Sequence, residues 1–293
     1  MGERLSKPMS LTPVNYEFEA LLDYIKQEHN FDFTNYNRSH LTRRIAIRMQ
    51  QVGFEDISNY SNYLQAEPQE FAHLFNTIEI NVTSFFRDTE TWNYIATQIV
   101  QRIIAGKSES EPIRVWSAGC ATGEETYTLA IVLAEALGVK QYLSRVKIFA
   151  TDVDWDALTW ARRASYPSSR VAGIPTAVLS QYFQRVHKHY VFRSELRRSI
   201  IFSQHNLMTD APMSKIDLLV CRNVLIYFDT EAQTRVLARF YFSLKDNGFL
   251  FLGQAEIPPI YTSFFTSVDI KHHVFAKVPK NRLNQLLLHR AIV

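Results

Sequence analysis

The chain is short of cysteine, glycine and net charge, and each shortage excludes something. Cys120 and Cys221 are the only cysteines in 293 residues. Two cannot build a disulfide framework or a four-cysteine zinc site, and both suit a reducing cytosol. Lys+Arg is 32 and Asp+Glu is 29, a formal net charge of +3. A surplus that small excludes a strongly basic nucleic-acid coat and an acidic tail protein. The N-terminus lacks the apolar core of a signal peptide, and no apolar run approaches the ~18 residues that span a bilayer. A cytoplasmic location is therefore expected, with no membrane insertion. Met1-Gly2-Glu3-Arg4-Leu5-Ser6 fits a myristoylation pattern, but chance or a cloning scar explains it better. The nine histidines show no His-x-x-x-His spacing, so no metal is expected.

What is present reads as a folded protein of about two domains, with 46% apolar and 21% charged residues. Residues 14 to about 80 read as helices. Phe18, Leu21, Leu22 and Ile25 share one face of Val14–Gln27. Leu41, Ile45, Met49 and Val52 recur at helical steps, and Gly53 follows as a stop signal. Ser58 opens a third segment and Glu70–Ile80 a fourth. A helix over Thr89–Ile104 leads into a polar linker, Ala105–Pro112. Strands and helices then alternate: Ile113–Ala118, Glu124–Leu137, Val146–Thr151, Trp155–Ala164, Ser199–Ser203, Ile216–Cys221, Thr230–Leu244 and Phe249–Leu252. Val268–Val278 supplies a terminal hairpin. That alternation predicts an α/β layer fold with a mostly parallel sheet. The rhythm breaks between Tyr166 and Arg198, which suggests a small appended β-subdomain at about 166–198. The expected organisation is an all-α N-terminal domain over 1–80, a connecting segment and linker over 81–112, and an α/β domain over 113–293.

Two of the nine glycines stand in one five-residue loop, Gly119-Cys120-Ala121-Thr122-Gly123. The loop joins a strand to a helix, which is the nucleotide cradle of doubly wound folds. It is neither Gly-x-Gly-x-x-Gly nor a P-loop. Glu124 and Glu125 follow it, where a pyrophosphate needs a positive helix end. Acids there repel phosphate and suit a ligand with an ammonium and a sulfonium group, such as S-adenosylmethionine. Their plainer reading is compensation of the helix dipole. The next strand ends at Asp152, placed to accept hydrogen bonds from both ribose hydroxyls.

Three blocks carry a family resemblance: Asn81-Val82-Thr83-Ser84-Phe85-Phe86-Arg87, the stretch from Arg114 to Glu125, and Cys221-Arg222-Asn223-Val224-Leu225-Ile226-Tyr227-Phe228. Weaker matches are Ala150–Asp154, Asn206-Leu207 and Gly253-Gln254-Ala255-Glu256. Together the chain resembles the CheR family of chemotaxis receptor methyltransferases from about Tyr16 to Val278. The resemblance implies a Rossmann-like class I methyltransferase sheet and methyl transfer from S-adenosylmethionine to receptor glutamates, with S-adenosylhomocysteine as product. It implies that Asn81, Thr83, Arg87, Gly119, Gly123, Glu125, Asp152, Asn206, Leu207, Arg222 and Asn223 line the cofactor pocket. Glu125 would face the methionine part, Asp152 the ribose and Asn206 the adenine. Arg87 and Tyr227 would handle the substrate carboxylate. Thr126 stands where the family has proline, and Gln254 and Ala255 where it has His and Ser. Phe183–Phe202 looks shorter than the subdomain of members that dock a receptor's C-terminal pentapeptide.

A glutamate carboxylate is ionised at neutral pH, so this chemistry needs no general base. No Ser-His-Asp set is evident. From Phe33 to Phe54 there is no acid, yet Arg38, Arg43, Arg44 and Arg48 are present. Arg44 and Arg48 fall on one helical stripe, suited to steering an acidic receptor bundle or simply a solvated face. Aromatic interleaving is too thin there for a nucleic-acid partner. A monomer is expected. Two other readings stay open: a methyltransferase for a non-receptor substrate, and a non-catalytic cofactor-binding signalling module. Pro258-Pro259 and Tyr261 superficially resemble the loop of amino methyltransferases, but Ile257 and Ile260 offer no polar grip.

Overall fold

The computed structural model of the chain describes residues 13–79, 81–256 and 264–279. The myristoylation-like Met1–Ser6 and the Pro258-Pro259 pair lie outside the described residues. The chain divides into two compact units: Met1–Ile80 with Tyr227–Asp229, and Asn81–Ile226 with Thr230–Val293.

Among its described residues the first unit holds four helices: α1 (Pro13–Glu28), α2 (Arg38–Val52), α3 (Ile57–Ala66) and α4 (Glu70–Ile78). Spacing of three and four residues gives each an apolar stripe. Phe18, Leu21, Leu22 and Ile25 of α1, Leu41, Ile45 and Met49 of α2, and Leu74 and Ile78 of α4 are all buried. Asn37 starts α2 by accepting the His40 N–H at 3.1 Å, and Gly53 ends it at φ 85°. The third helix is capped by Asp56, not Ser58, because the Asp56 carboxylate accepts the Asn59 N–H at 2.8 Å. Tyr227–Asp229 joins this unit through backbone bonds. The Asn37 N–H donates to the Tyr227 carbonyl at 2.8 Å, and the Asp229 N–H donates to the Asn35 carbonyl at 3.1 Å.

One expectation is corrected here. Arg48 is not a free member of a basic stripe. Its Nη2 stands 2.5 Å from Glu70 Oε2 and its Nε donates to Oε1 at 2.8 Å. Tyr60 donates to the same Oε1 at 2.8 Å. Burial pushes the Glu70 carboxyl up, but the bonds from Arg48 and Tyr60 outweigh it and hold the group below its usual value. The acid missing around Arg48 in sequence comes from another helix. Arg38 pairs with Glu19 at 3.0 Å and Arg44 donates to the Thr77 carbonyl at 2.6 Å. Arg43 is exposed.

Among its described residues the second unit carries ten strands: β1 (Ile113–Ala118), β2 (Val146–Asp152), β3 (Ser165–Pro167), β4 (Phe183–Val186), β5 (His189–Phe192), β6 (Ile200–Gln204), β7 (Ile216–Cys221), β8 (Leu244–Leu252), β9 (Phe265–Asp269) and β10 (Val274–Lys277). Seven form one sheet in the order β6-β2-β1-β7-β8-β10-β9. The first five are parallel, and β10 runs antiparallel to both of its neighbours. Every residue of β7 is buried, as the apolar run of a strand covered on both faces requires. Its one acid, Asp217, is held by Lys107 at 3.0 Å and by the Arg114 N–H at 2.8 Å. A separate antiparallel sheet, β3-β5-β4, stands where the sequence rhythm broke. The helix expected over Thr89–Ile104 is interrupted by a π segment, Ile95–Ile99. Among the described residues no helix is long and apolar enough to cross a membrane.

The order reverses between β1 and β7, so a crevice opens beyond their carboxyl ends, where doubly wound sheets take ligands. In the first unit, Glu70→Ala strands a mostly buried guanidinium. It should lower stability by about 3–5 kcal/mol in chemical denaturation, whereas Arg43→Ala should change it by less than about 0.5 kcal/mol.

Candidate functional site

Beyond β1 the chain bends sharply. Gly119 has φ 73°, and the N–H groups of Gly119 and Cys120 both donate to the Thr151 carbonyl, at 2.7 and 2.9 Å. A Cβ on Gly119 would stand 2.2 Å from Val224 Cγ2. Gly123 has φ 95° and opens the helix Glu124–Leu137. A Cβ there would stand 2.9 Å from the Ala161 Cβ. Both positions therefore need glycine twice over, for their backbone angles and for close approach. Ala121, also left-handed at φ 45°, donates its N–H to Asp152 Oδ2 at 2.7 Å. Oδ1 of Asp152 accepts the Asp154 N–H at 2.9 Å. Burial pushes the Asp152 carboxyl up to about 6 despite those bonds.

The acid pair after the loop splits, because successive helical residues point in different directions. Glu124 is fully buried and turned to the small antiparallel sheet region, with Arg170 at 2.7 Å and the Thr122 hydroxyl at 2.6 Å. It is not available to a ligand. Glu125 points the other way. Its Oε2 stands 3.4 Å from Arg222 Nη1, and its buried Oε1 has no partner among the described residues. Burial lifts the Glu125 carboxyl to about 7. Arg222 and Arg87 pull it down, and Glu256 pushes it up.

Arg222 follows β7 and is itself buried. Its Nη2 is bonded to Asp88, and its guanidinium lies 4.8 Å from the Phe251 ring centre and 5.8 Å from that of Trp92. The next residues are pinned by Glu256. That carboxylate accepts four backbone N–H groups: Asn223 at 2.9 Å, Val224 at 2.7 Å, Leu225 at 2.7 Å and Gly253 at 2.6 Å. Asn223 is held left-handed at φ 59°.

Sequence reasoning named most of this cluster but gave three of its members no role. Asp88 follows Arg87 directly and takes one arm of Arg222. Asp154 accepts Asn81 Nδ2 at 2.6 Å while capping the helix Trp155–Arg163. Glu256 was visible only inside a weak match. Arg87 donates to the Val82 carbonyl at 3.1 Å. Thr83 is partly exposed in the same connection. Asn206 and buried Leu207 stand in the turn after β6, which begins beside Asp152, where the His205 N–H donates to the Asp152 carbonyl at 2.9 Å and the Asn206 N–H donates to Asp210 at 2.9 Å. Tyr227 belongs to the helical unit, and its ring meets His40 edge-on at 5.0 Å. Arg38, Arg43, Arg44 and Arg48 are in that unit as well.

The donor set fits S-adenosylmethionine. A backbone cradle needs glycine at both ends, an acid stands at the tip of β2, and a buried carboxylate oxygen waits for a hydrogen-bond donor. Phosphate fits poorly beside two carboxylates. In Gly119→Ala the methyl must displace Val224. That variant should lose cofactor binding by more than about 100-fold in calorimetry, or fail to fold, whereas Gly173→Ala, where a Cβ meets nothing within 4 Å, should bind normally.

Comparison with known proteins agrees with this geometry. Residues 81–274 match the family model for the CheR methyltransferase SAM-binding domain, and residues 16–78 match that for the CheR methyltransferase all-alpha domain. The chain is 33% identical to the chemotaxis protein methyltransferase of Salmonella typhimurium, over 82% of this chain and 83% of that one. It is 29% identical to that of Borreliella burgdorferi, over 82% and 87%. A 104.1 kDa protein of Rhodobacter capsulatus is 34% identical over 87% of this chain, which spans only 27% of that protein's length. The chain belongs to the CheR methyltransferase family, with that family's all-alpha domain followed by its S-adenosylmethionine-binding domain.

Proposed function

We propose that this chain methylates glutamate side chains in the cytoplasmic helical region of chemoreceptors, using S-adenosylmethionine. The observation that carries the reading is Glu125, whose buried Oε1 lacks a partner at the start of the helix behind the glycine loop. The cofactor supplies a methyl carbon made electrophilic by its sulfonium. Glu125 takes its ammonium group, and Asp152, whose oxygens accept one backbone N–H each, takes the ribose hydroxyls with its remaining lone pairs. Gly119 and Gly123 let the backbone close on the ligand. Asn81 and Thr83 line the pocket from the connecting segment, Asn206 and Leu207 border the adenine, and Arg222 and Asn223 close the methionine end.

The incoming glutamate is already a nucleophile, so the protein has only to align it and strip its water. Arg87 orients that carboxylate. A rigid bidentate salt bridge would quench its nucleophilicity, and Arg87 is partly engaged by the Val82 carbonyl. Tyr227 is assigned to the same carboxylate by the resemblance, as a weaker donor. On α2, Arg43 and Arg44 provide positive charge for an acidic partner, whereas Arg38 is paired with Glu19. Arg48 does not, since Glu70 neutralises it.

Labelled cofactor incubated with a receptor cytoplasmic fragment should yield base-labile methyl on glutamate. Arg87→Ala should cut kcat/KM by about 100-fold. Label on nucleic acid or a small metabolite, or cofactor binding with no transfer, overturns the reading. Binding should also depend on pH in a set direction. The ionised forms of Asp152 and Glu125 hold the ligand, and burial raises these groups to about 6 and about 7. Affinity for S-adenosylhomocysteine should therefore rise about tenfold or more between about pH 5.5 and 8, and Glu125→Gln should abolish the upper step. A flat profile in the unaltered chain contradicts the assignment.

A further inference from the structure

The connecting segment holds its one family-matched arginine in an unusual frame. Phe86 and Asp88 flank Arg87, and both are left-handed, at φ 50° and 63°. Neither is glycine, so the turn is strained on both sides of Arg87. Asp88 also opens the helix Thr89–Tyr94, where an aspartate ordinarily caps with its side chain. Here it makes no such cap. The carboxylate reaches instead to Arg222, far along the chain.

Arg222 has two arms and two carboxylates to serve. With Nη2 bonded to Asp88, its Nη1 reaches Glu125 Oε2 only at 3.4 Å. Glu125 Oε1 stays unpartnered. The guanidinium is buried within 4.8 Å of the Phe251 ring centre and 5.8 Å of that of Trp92, so its partners are confined to the carboxylates beside it. Released from Asp88, it would close both arms on Glu125, as arginine does with a lone carboxylate. Glu125 would then be spent on Arg222 rather than held for a ligand's ammonium group.

We propose that Asp88 is a positioning residue for methyl transfer: by drawing Arg222 toward itself it keeps Glu125 open to the cofactor, and by anchoring the left-handed turn it aims Arg87. Asp88 acts through its two neighbours, Arg87 beside it in the chain and Arg222 bonded to its carboxylate. The inference rests on the cofactor reading given above and adds the device that keeps the site ready before the cofactor arrives.

A double-mutant cycle tests it, with S-adenosylhomocysteine binding followed by calorimetry. Asn tolerates the left-handed region, so Asp88→Asn keeps the fold while removing the charge. Asp88→Gly removes the carboxylate and relieves the strain together, which covers the case in which the first variant unfolds. Either should weaken binding about tenfold in the natural background and less than about twofold in Glu125→Gln, because the route through Glu125 is then already closed. Turnover at saturating cofactor should fall further, since Arg87 loses its aim. Equal losses in both backgrounds would mean a general structural role and overturn the proposal, as would natural affinity and turnover in Asp88→Asn. If the unaltered chain does not bind S-adenosylhomocysteine, the cofactor reading itself falls, a result distinct from either of these.

Discussion

Everything at the carboxyl ends of the central strands depends on one buried carboxylate. Glu256 gathers four backbone N–H groups from two separate chain segments, the loop after β7 and the turn after β8. Charge-assisted bonds of this kind are stronger than neutral ones, and here one carboxylate satisfies four amides at once. The pinned loop sets Val224 against Gly119, so the bend that forms the cradle is fixed from outside it. It also sets Arg222 beneath Glu125. A single acid near the end of the fold thus holds the geometry of a loop more than a hundred residues earlier in the chain.

The cluster built on this pin carries more negative than positive charge. Asp88, Glu125 and Glu256 face Arg222 and Arg87, and Asp152 stands nearby with only backbone donors on its oxygens. Burial of unbalanced carboxylates is costly, and the raised Glu125 and Asp152 groups record that cost. A ligand bringing positive charge and hydroxyl donors relieves it. The same imbalance disfavours a pyrophosphate, although the strand-loop-helix frame is the one dinucleotides use. The fold provides the crevice, and the acids choose what enters it.

Much of this was legible before any coordinates. The bounds of β1, β7 and the helix Glu124–Leu137 follow directly from apolar runs, turn residues and period, because local preference and burial agree there. Gly119, Gly123 and Asp152 could be singled out for the same reason: each sits at a fixed offset from a strand end. Pairings between distant segments were not legible. Arg48 looked free because no acid lies near it in sequence, yet Glu70 meets it from the next helix but one. Glu124 and Glu125 looked like one feature, and the helix turned them to different partners.

The division has a physical cause. Periodicity, capping and the need for glycine at a tight bend act over a few residues, so the sequence alone determined the alternating architecture, the cradle and the acid at the tip of β2. Charge pairing and hydrogen-bond satisfaction depend on distance in space. Only the tertiary structure decided that Asp88 shares Arg222 with Glu125, that Glu256 closes the β7 loop, and that Tyr227 belongs with the helices. A buried charge takes whichever partner packing brings within about 3 Å, and sequence separation does not enter that energy.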